Sequence, residues 1–453
     1  MKRIKQIVIF GTFIVFFGIS VQATDSRKFV LSGTVYHEFT PLGMVVTSVD
    51  ALLNPSYMLH HSNSVNIDYD GAIYSGYGFF NMKPLGLPGV LGLQIGKRYG
   101  SYRSGIWTGS GENISDLNDL VAPICDQSDV GVDGIDVTDL NSIRSFGIYY
   151  ALPVGKKLKA GFGFNYVGRG VSGNRINDPQ SASTEKDDSF KKRISSTMFR
   201  AGIEYKLSNT INLFLDGGIG KPEYSYEYTI GSDSTEDEEK ASFSGWDLDA
   251  NLRADYRVNN NASLIANVSY FSYGGSLEID PDTGTSDDST TYRRAQQSFT
   301  FLIGPLFHGD GHNFGFQAGF LSDRSNIEMS LEASDTDTQK NNPRTTSFPI
   351  LRLLAEKRIL KWFTMRASVT YMTFKEKTLN NSDTDPATED WKTMSGQPTS
   401  TLSPAFGFTI DFNGGFFIDA YMFDSIFLKG PYLFSGNTSG PNLNAGVSIG
   451  ISL

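Results

Sequence analysis

The 453-residue chain has a single cysteine, Cys125. One thiol cannot close an internal disulfide, so no cross-linked framework holds the fold, and in its polar surroundings without a basic neighbour the thiol reads as inert. Long apolar runs are missing after the first two dozen residues. Membrane-spanning helices, which need about 20 consecutive apolar residues, are therefore excluded from the rest of the chain. Histidine is scarce, with five in all (His37, His60, His61, His308 and His312). None stands beside a serine and an acid at a spacing that suggests a hydrolytic triad, and His308 and His312 merely flank the turn HGDGH. Basic residues are outnumbered, 39 Lys and Arg against 49 Asp and Glu. That balance makes nucleic acid an improbable partner. No enzyme activity, cofactor or metal centre is expected.

What is present begins with residues 1–23. Lys2, Arg3 and Lys5 precede the run IVIFGTFIVFFGISV, and Val21-Gln22-Ala23 offers small residues before Thr24. This is the form of a secretory signal peptide, cut after Ala23. Cleavage removes three basic residues, so the formal charge of −10 becomes about −13.

The stretch Trp246–Val258 sets the fold class. Trp246, Leu248, Ala250, Leu252, Ala254, Tyr256 and Val258 alternate with Asp247, Asp249, Asn251, Arg253 and Asp255. A strand sends successive side chains to opposite faces, so this segment has one apolar and one charged face over the roughly 9–11 residues that a tilted strand needs to cross a bilayer. After a short turn, Ala262 to Tyr270 repeats the pattern. Seven such hairpins follow from short Gly, Asn, Asp or Lys turns, near 75–82/88–100, 143–151/157–170, 195–207/210–228, 243–258/262–278, 293–307/312–330, 345–358/363–376 and 402–412/416–427. A first strand at Ser64–Tyr74 and a last at Asn442–Leu453 complete the set. No helical layer is available to cover the apolar faces, and a closed barrel with lipid outside and polar side chains inside satisfies them all. The expectation is an all-β transmembrane antiparallel barrel of 14–16 strands over residues 64–453. Even parity returns both ends to the same side.

Residues 24–63 do not alternate. Two readings compete: an N-terminal strand with an entry segment, and, preferred, a plug whose short helix over Val46–Leu53 is ended by Asn54-Pro55. The longer connections, Ser110–Asn141, Gly173–Asp188, Gly231–Lys240, Asp280–Ser289, Ser334–Pro343 and Asn380–Pro398, are acidic or polar and read as solvated loops. DQSDVGVDGIDVTDL (126–140) has spaced acids, but they are out of step with a calcium loop.

The stretch TPLGMVVTSVDALLNPSYM followed by SVNIDYDGAIYSGYGFFN resembles the start of the outer-membrane long-chain fatty-acid transport family (FadL-like). Gly43-Met44 and Asn54-Pro55-Ser56 stand where that family carries Gly-Met and Asn-Pro-Ala, although Val45, Val46 and Ser56 depart from its pattern. GYGFFNMKP, PGVLGLQIGKRYG and SFGIYYALPVGKKLKAGFGFNYVGRG follow in a similar order. The resemblance covers about the first third of the chain. It implies a plugged barrel that passively admits small hydrophobic or amphipathic, fatty-acid-like molecules through the outer membrane. Related barrels serve protein secretion, so a non-transporting structural, secretion or attachment platform is the alternative, and a general porin is a third.

Parity places Asp216, Asp247, Asp249, Arg253, Arg352, Glu356, Arg366, Asp411 and Asp419 in the bore, where buried charges must find partners or serve as a selective lining. The candidate ligand-binding residues are Asn54 and Pro55 in the plug, Arg352 and Arg366 to steer a carboxylate, and Met372 and Phe374 to supply apolar contact. The expected partners are outer-membrane lipid and lipopolysaccharide, a hydrophobic small-molecule ligand, and the barrel-assembly machinery, which would read the terminal strand Ala445, Val447, Ile449, Ile451, Leu453.

Overall fold

A computed structural model of the chain describes residues 30–31, 44–69, 74–96, 144–175, 188–231, 236–282, 290–331, 338–381, 392–395, 399–412, 415–424 and 443–452. The expected signal peptide, Cys125 and the acidic stretch 126–140 lie outside them. The strand segments run β1 Ser64–Tyr69, β2 Tyr74–Asn81, β3 Val90–Gly96, β4 Arg144–Pro153, β5 Leu158–Arg175, β6 Asp188–Lys206, β7 Ile211–Gly231, β8 Glu236–Asn259 and β9 Ala262–Asp282. They continue with β10 Thr290–Gly309, β11 His312–Leu331, β12 Thr338–Leu360, β13 Phe363–Asn381, β14 Lys392–Ser395, β15 Thr399–Phe412, β16 Phe416–Asp424 and β17 Leu443–Ser452.

Each strand pairs antiparallel with its neighbours, and β1 pairs with both β2 and β17, from Ser64↔Ser452 to Tyr69↔Val447. That last pairing closes the sheet. β14 and β15 lie on the same side of β13, one along residues 377–380 and the other along 363–374. They share one position, so the described strands make a sixteen-position barrel without an edge. Closure leaves no unpaired backbone to face lipid, which is what permits strands to cross a bilayer at all.

Short turns gather at one rim. The chain reverses over residues 154–157, 207–210, 260–261, 310–311 and 361–362, while β1 starts and β17 ends at that same rim. Gly155 and Gly311, with φ of 93° and 73°, take left-handed conformations that a residue with a Cβ adopts only with strain.

The period-two reading holds on the outer surface. Leu215, Ile219, Trp246, Leu248, Leu252, Tyr256, Phe307, Phe314, Leu353, Met365, Phe406 and Ile449 are all exposed. They form a continuous apolar belt. Aromatic pairs mark its two margins: Phe307–Phe314 and Phe412–Phe416 near the short-turn rim, Phe146–Tyr166 and Phe299–Phe320 farther up. Trp246 and Tyr256 are ten positions apart, about 33 Å along a strand and about 25 Å along the axis of a barrel whose strands tilt by ~40°. This is the height of a bilayer's hydrocarbon band.

Several expected loops are in fact strand. β6–β13 run 19–24 residues each, about twice what a bilayer requires. Residues 236–240 of the acidic stretch 231–240 belong to β8, residues 280–282 to β9, 338–343 to β12, 380–381 to β13 and 392–395 to β14. Above the belt both sheet faces can meet water, so the ladder continues with no apolar alternation to announce it. At the other end of the list, β1 stops at Tyr69 and Tyr74 opens β2, so the expected first strand Ser64–Tyr74 is too long.

The residues before β1 form the helix α1, Asp50–Leu53, and a 3-10 turn, Pro55–His60. The expected helix over 46–53 is thus shorter, and Pro55 opens a second turn rather than closing the segment. A proline is tolerated at the first position of a helical turn because no partner awaits its missing N–H there. Asn54 supplies the cap, its Oδ1 accepting from the Ser56 amide at 3.1 Å and the Ser56 hydroxyl at 2.7 Å.

Candidate functional site

The inner face of the sheet is polar and packed. On β8, Asp247, Asp249, Asn251 and Arg253 are all buried, opposite the exposed outer residues between them. Buried ions require partners, and most of these have them.

Arg366 on β13 gathers the largest set. It donates to Glu356 on β12 at 2.6 Å, to Asp419 on β16 at 2.8 Å and to Thr409 on β15, tying four neighbouring strands. Arg200 on β6 pairs with Asp249 on β8, lies 4.0 Å from Asp216 on β7, and donates to the Leu53 carbonyl at 2.8 Å. Asn251 completes that group by donating to Asp216 at 2.6 Å. Arg253 binds Asp255 at 2.6 Å and the Met44 carbonyl at 2.9 Å. Ser368 on β13 donates to the Val30 carbonyl.

Three inward side chains therefore end on backbone carbonyls of residues that precede β1. Packing follows the same geometry. Leu52, Leu53, Tyr57 and Met58 are buried in one cluster with Tyr77, Phe79, Tyr149 and Phe214 of the strands. Roughly 1.5–3 kcal/mol accompanies full burial of each large apolar side chain. Leu31 and Met44 pack with Ile265, Leu306 and Leu354 on the wall formed by β9–β12. Glycines make the close approach possible: a Cβ on Gly161 would come 2.5 Å from the Pro55 carbonyl carbon, and one on Gly202 would overlap the Asn54 side chain. The Tyr57 ring lies 5.1 Å from Phe214, and burial holds its phenol well above the usual tyrosine range. At the short-turn rim, His60 at the end of the 3-10 turn meets Glu204 at 2.6 Å, and Lys159 bonds the same carboxylate at 3.0 Å.

The sequence-derived candidates fall into different surroundings. Asn54 and Pro55 are fully buried against β5 and β6, Asn54 spending its Oδ1 on the cap. Arg352 and Arg366 both face inward, on strands joined by one turn, yet they differ. Arg366 is surrounded by carboxylates. Arg352 reaches only Gln317, at 3.3 Å, its Nε has no hydrogen bond, and no carboxylate partners it among the described residues. Met372 packs with Leu302, Leu321 and Ile350 in an apolar patch on β10–β13, and Ile350 stands two residues from Arg352 on the same face. Gln317 Nε2 and Thr370 Oγ1, which flank Arg352 through the register, are likewise buried without hydrogen bonds. Phe374 pairs through its backbone with Ser347 and Thr399, and its side chain lies outside the described ones.

Arg200, Glu204, Lys159 and His60 were not singled out by sequence. A signal existed for two of them: Met198, Arg200, Gly202 and Glu204 alternate with Phe199, Ala201, Ile203 and Tyr205. His60 and Lys159 carried none, since only the fold brings them together.

No family model matches the sequence, and no curated protein matches it. Among solved structures, a Pseudomonas aeruginosa FadL homologue is 10% identical with a TM-score of 0.39, covering 96% of this chain and 99% of that one. The toluene transporter TodX of Pseudomonas putida is 9% identical with a TM-score of 0.37, covering 96% and 99%. The translocator domain of the autotransporter NalP from Neisseria meningitidis is 13% identical with a TM-score of 0.30, covering 77% and 100%. Scores of this size leave function to be argued from the chain's own residues.

Proposed function

We propose that the chain is an outer-membrane barrel that lets small hydrophobic or amphipathic molecules pass the membrane passively, with residues 24–63 as plug and gate. The observation that carries this reading is the wall patch around Arg352. A buried guanidinium without a carboxylate partner is unfavourable for folding alone. Here it stands beside Gln317 and Thr370, which also hold unspent hydrogen-bonding atoms, and above them, away from the short-turn rim, the register continues into Leu302, Leu321, Ile350 and Met372. One polar corner and one apolar strip on adjoining strands suit a ligand with an oxygen-bearing head and a hydrocarbon tail. The contacts from Arg200, Arg253 and Ser368 to carbonyls of the leading segment support its role as plug.

A second reading has its own support. β6–β13 stand well above the apolar belt, and a tall sheet wall suits a secretion or attachment platform that transports nothing. Laurate and dodecanol binding to the purified protein separates the two. The transport reading expects both to bind, with laurate weakened about tenfold or more in Arg352→Gln, the size of one lost charged hydrogen bond. Absence of binding by both ligands would leave the platform. Swelling of proteoliposomes in sugars addresses the porin: fast swelling of the full chain would remove the plug from the account.

A further inference from the structure

We infer that a cavity at the short-turn rim is an anion site, in which Arg358 and Thr364 take a small oxyanion: a carboxylate or a phosphate group. The inference rests on this cavity and not on what the bore transports. The space measures about 210 Å³ and lies where the rim ends of β10–β13 meet. One water occupies ~30 Å³, so the cavity admits a polyatomic ion with part of its hydration.

The buried wall of the cavity has already spent its hydrogen bonds. Arg366 directs its three nitrogens at Glu356, Asp419 and Thr409, and Glu356 also accepts from Asn313 at 2.9 Å. The wall nearer the rim differs. Arg358 continues the inward face of β12 two positions beyond Glu356, and its backbone partner across β13 is Thr364. Among the described residues no carboxylate pairs with the Arg358 guanidinium, and no group bonds the Thr364 hydroxyl.

Two glycines shape the enclosure. The Arg358 amide donates to the Gly311 carbonyl at 2.7 Å, and a Cβ on Gly311 would come 3.2 Å from the Arg358 Cβ, so the arginine stem passes directly beneath the turn. The His312 ring lies over Gly309, where a Cβ would overlap the imidazole, and it closes another side of the space. The groups still free to donate are therefore a guanidinium and a hydroxyl that face each other across one strand pair. A guanidinium presents parallel N–H groups in the geometry of carboxylate and phosphate oxygens, and the neighbouring hydroxyl adds a further donor. An oxyanion is the ligand that this pair of donors recognises.

Calorimetric titration of the full chain in a non-ionic detergent tests this. Potassium phosphate and potassium acetate are the probes, with potassium chloride at matched ionic strength as the blank, because salt screens unspecific attraction. Saturable binding of at least one oxyanion is expected, weakened about tenfold or more in Arg358→Gln, the size of one lost charged hydrogen bond. Thr364→Val is expected to cause a lesser loss. Lys357→Gln removes the same charge from a neighbouring side chain that does not line the cavity, and it is expected to bind as the wild type does. Competition between phosphate and acetate assigns the preferred class of oxyanion. Saturable binding that is absent for both probes, unchanged in Arg358→Gln, or weakened equally in Arg358→Gln and Lys357→Gln overturns the proposal. Dodecanol, which has no anionic group, reports on the transport reading separately, and its binding is expected to be the same in all three variants.

Discussion

At the scale of single residues the bore contains two kinds of arginine, and they should answer the same substitution differently. Arg366 and Arg200 each neutralise buried carboxylates, Glu356 and Asp419 for the first, Asp249 and Asp216 for the second. Replacing either with methionine strands those acids, and a loss of about 3–5 kcal/mol is expected. Denaturant unfolding in detergent micelles would show it as an earlier transition. Arg352 has no acid to strand, so Arg352→Met should be neutral or stabilising, since a well-packed apolar residue commonly matches or improves on a buried ion. An equal loss at Arg352 and Arg366 would mean that Arg352 has an acidic partner after all, and the ligand site would lose its main support.

Single elements carry predictions of another kind. On β8, Leu252 lies near the middle of the apolar belt and Val258 lies next to the short-turn rim. Lysine at Leu252 should cost about 2–4 kcal/mol in a bilayer and lysine at Val258 about 0–1, because the penalty falls from midplane to interface. Folding titrations into lipid vesicles would measure both. Equal costs would place the lipid band elsewhere on the strand. On β6, Gly202 leaves the room that Asn54 occupies. Gly202→Val is expected to leave the barrel intact, as judged by its strand content and heat resistance, yet to displace residues 54–55. Faster protease cleavage within 44–63 and faster sugar entry into proteoliposomes would follow. If the variant cleaves and conducts like the wild type, the segment does not seal the bore.

For the whole molecule, the leading segment acts as a body held at several points. Its carbonyls are gripped by β6, β8 and β13, and its end is held at the rim by Glu204 between His60 and Lys159. Deleting residues 28–61 removes every one of these contacts together. The expected result is a barrel that still inserts, because all inter-strand pairing remains, but with sugar conductance raised well above that of the full chain. Loss of laurate binding in the same variant would place the segment in the ligand site as well as in the gate. A deletion that changes neither conductance nor binding would rule out the gate.

Closure, the apolar belt and its rims were legible from alternation alone, because lipid imposes period two on any strand that crosses it. Trp246–Val258 and Ala445–Ile451 state that rule residue by residue. The upper halves of β6–β13 were not legible, since water on both faces asks for no alternation. β12 shows the limit of parity within one strand: its register shifts between Ser347 and Ile350, and both residues face inward although three positions apart. Counting by twos from Ser347 would send Arg352 out to lipid, and only the bulge returns it to the bore. Sequence by itself therefore determined which side chains are greasy and which are wet, and with them a barrel. Which wet groups neutralise one another, leaving Arg352 without a carboxylate partner among the described residues, was decided by register and curvature, because electrostatic pairing depends on distances between strands that lie far apart in the chain.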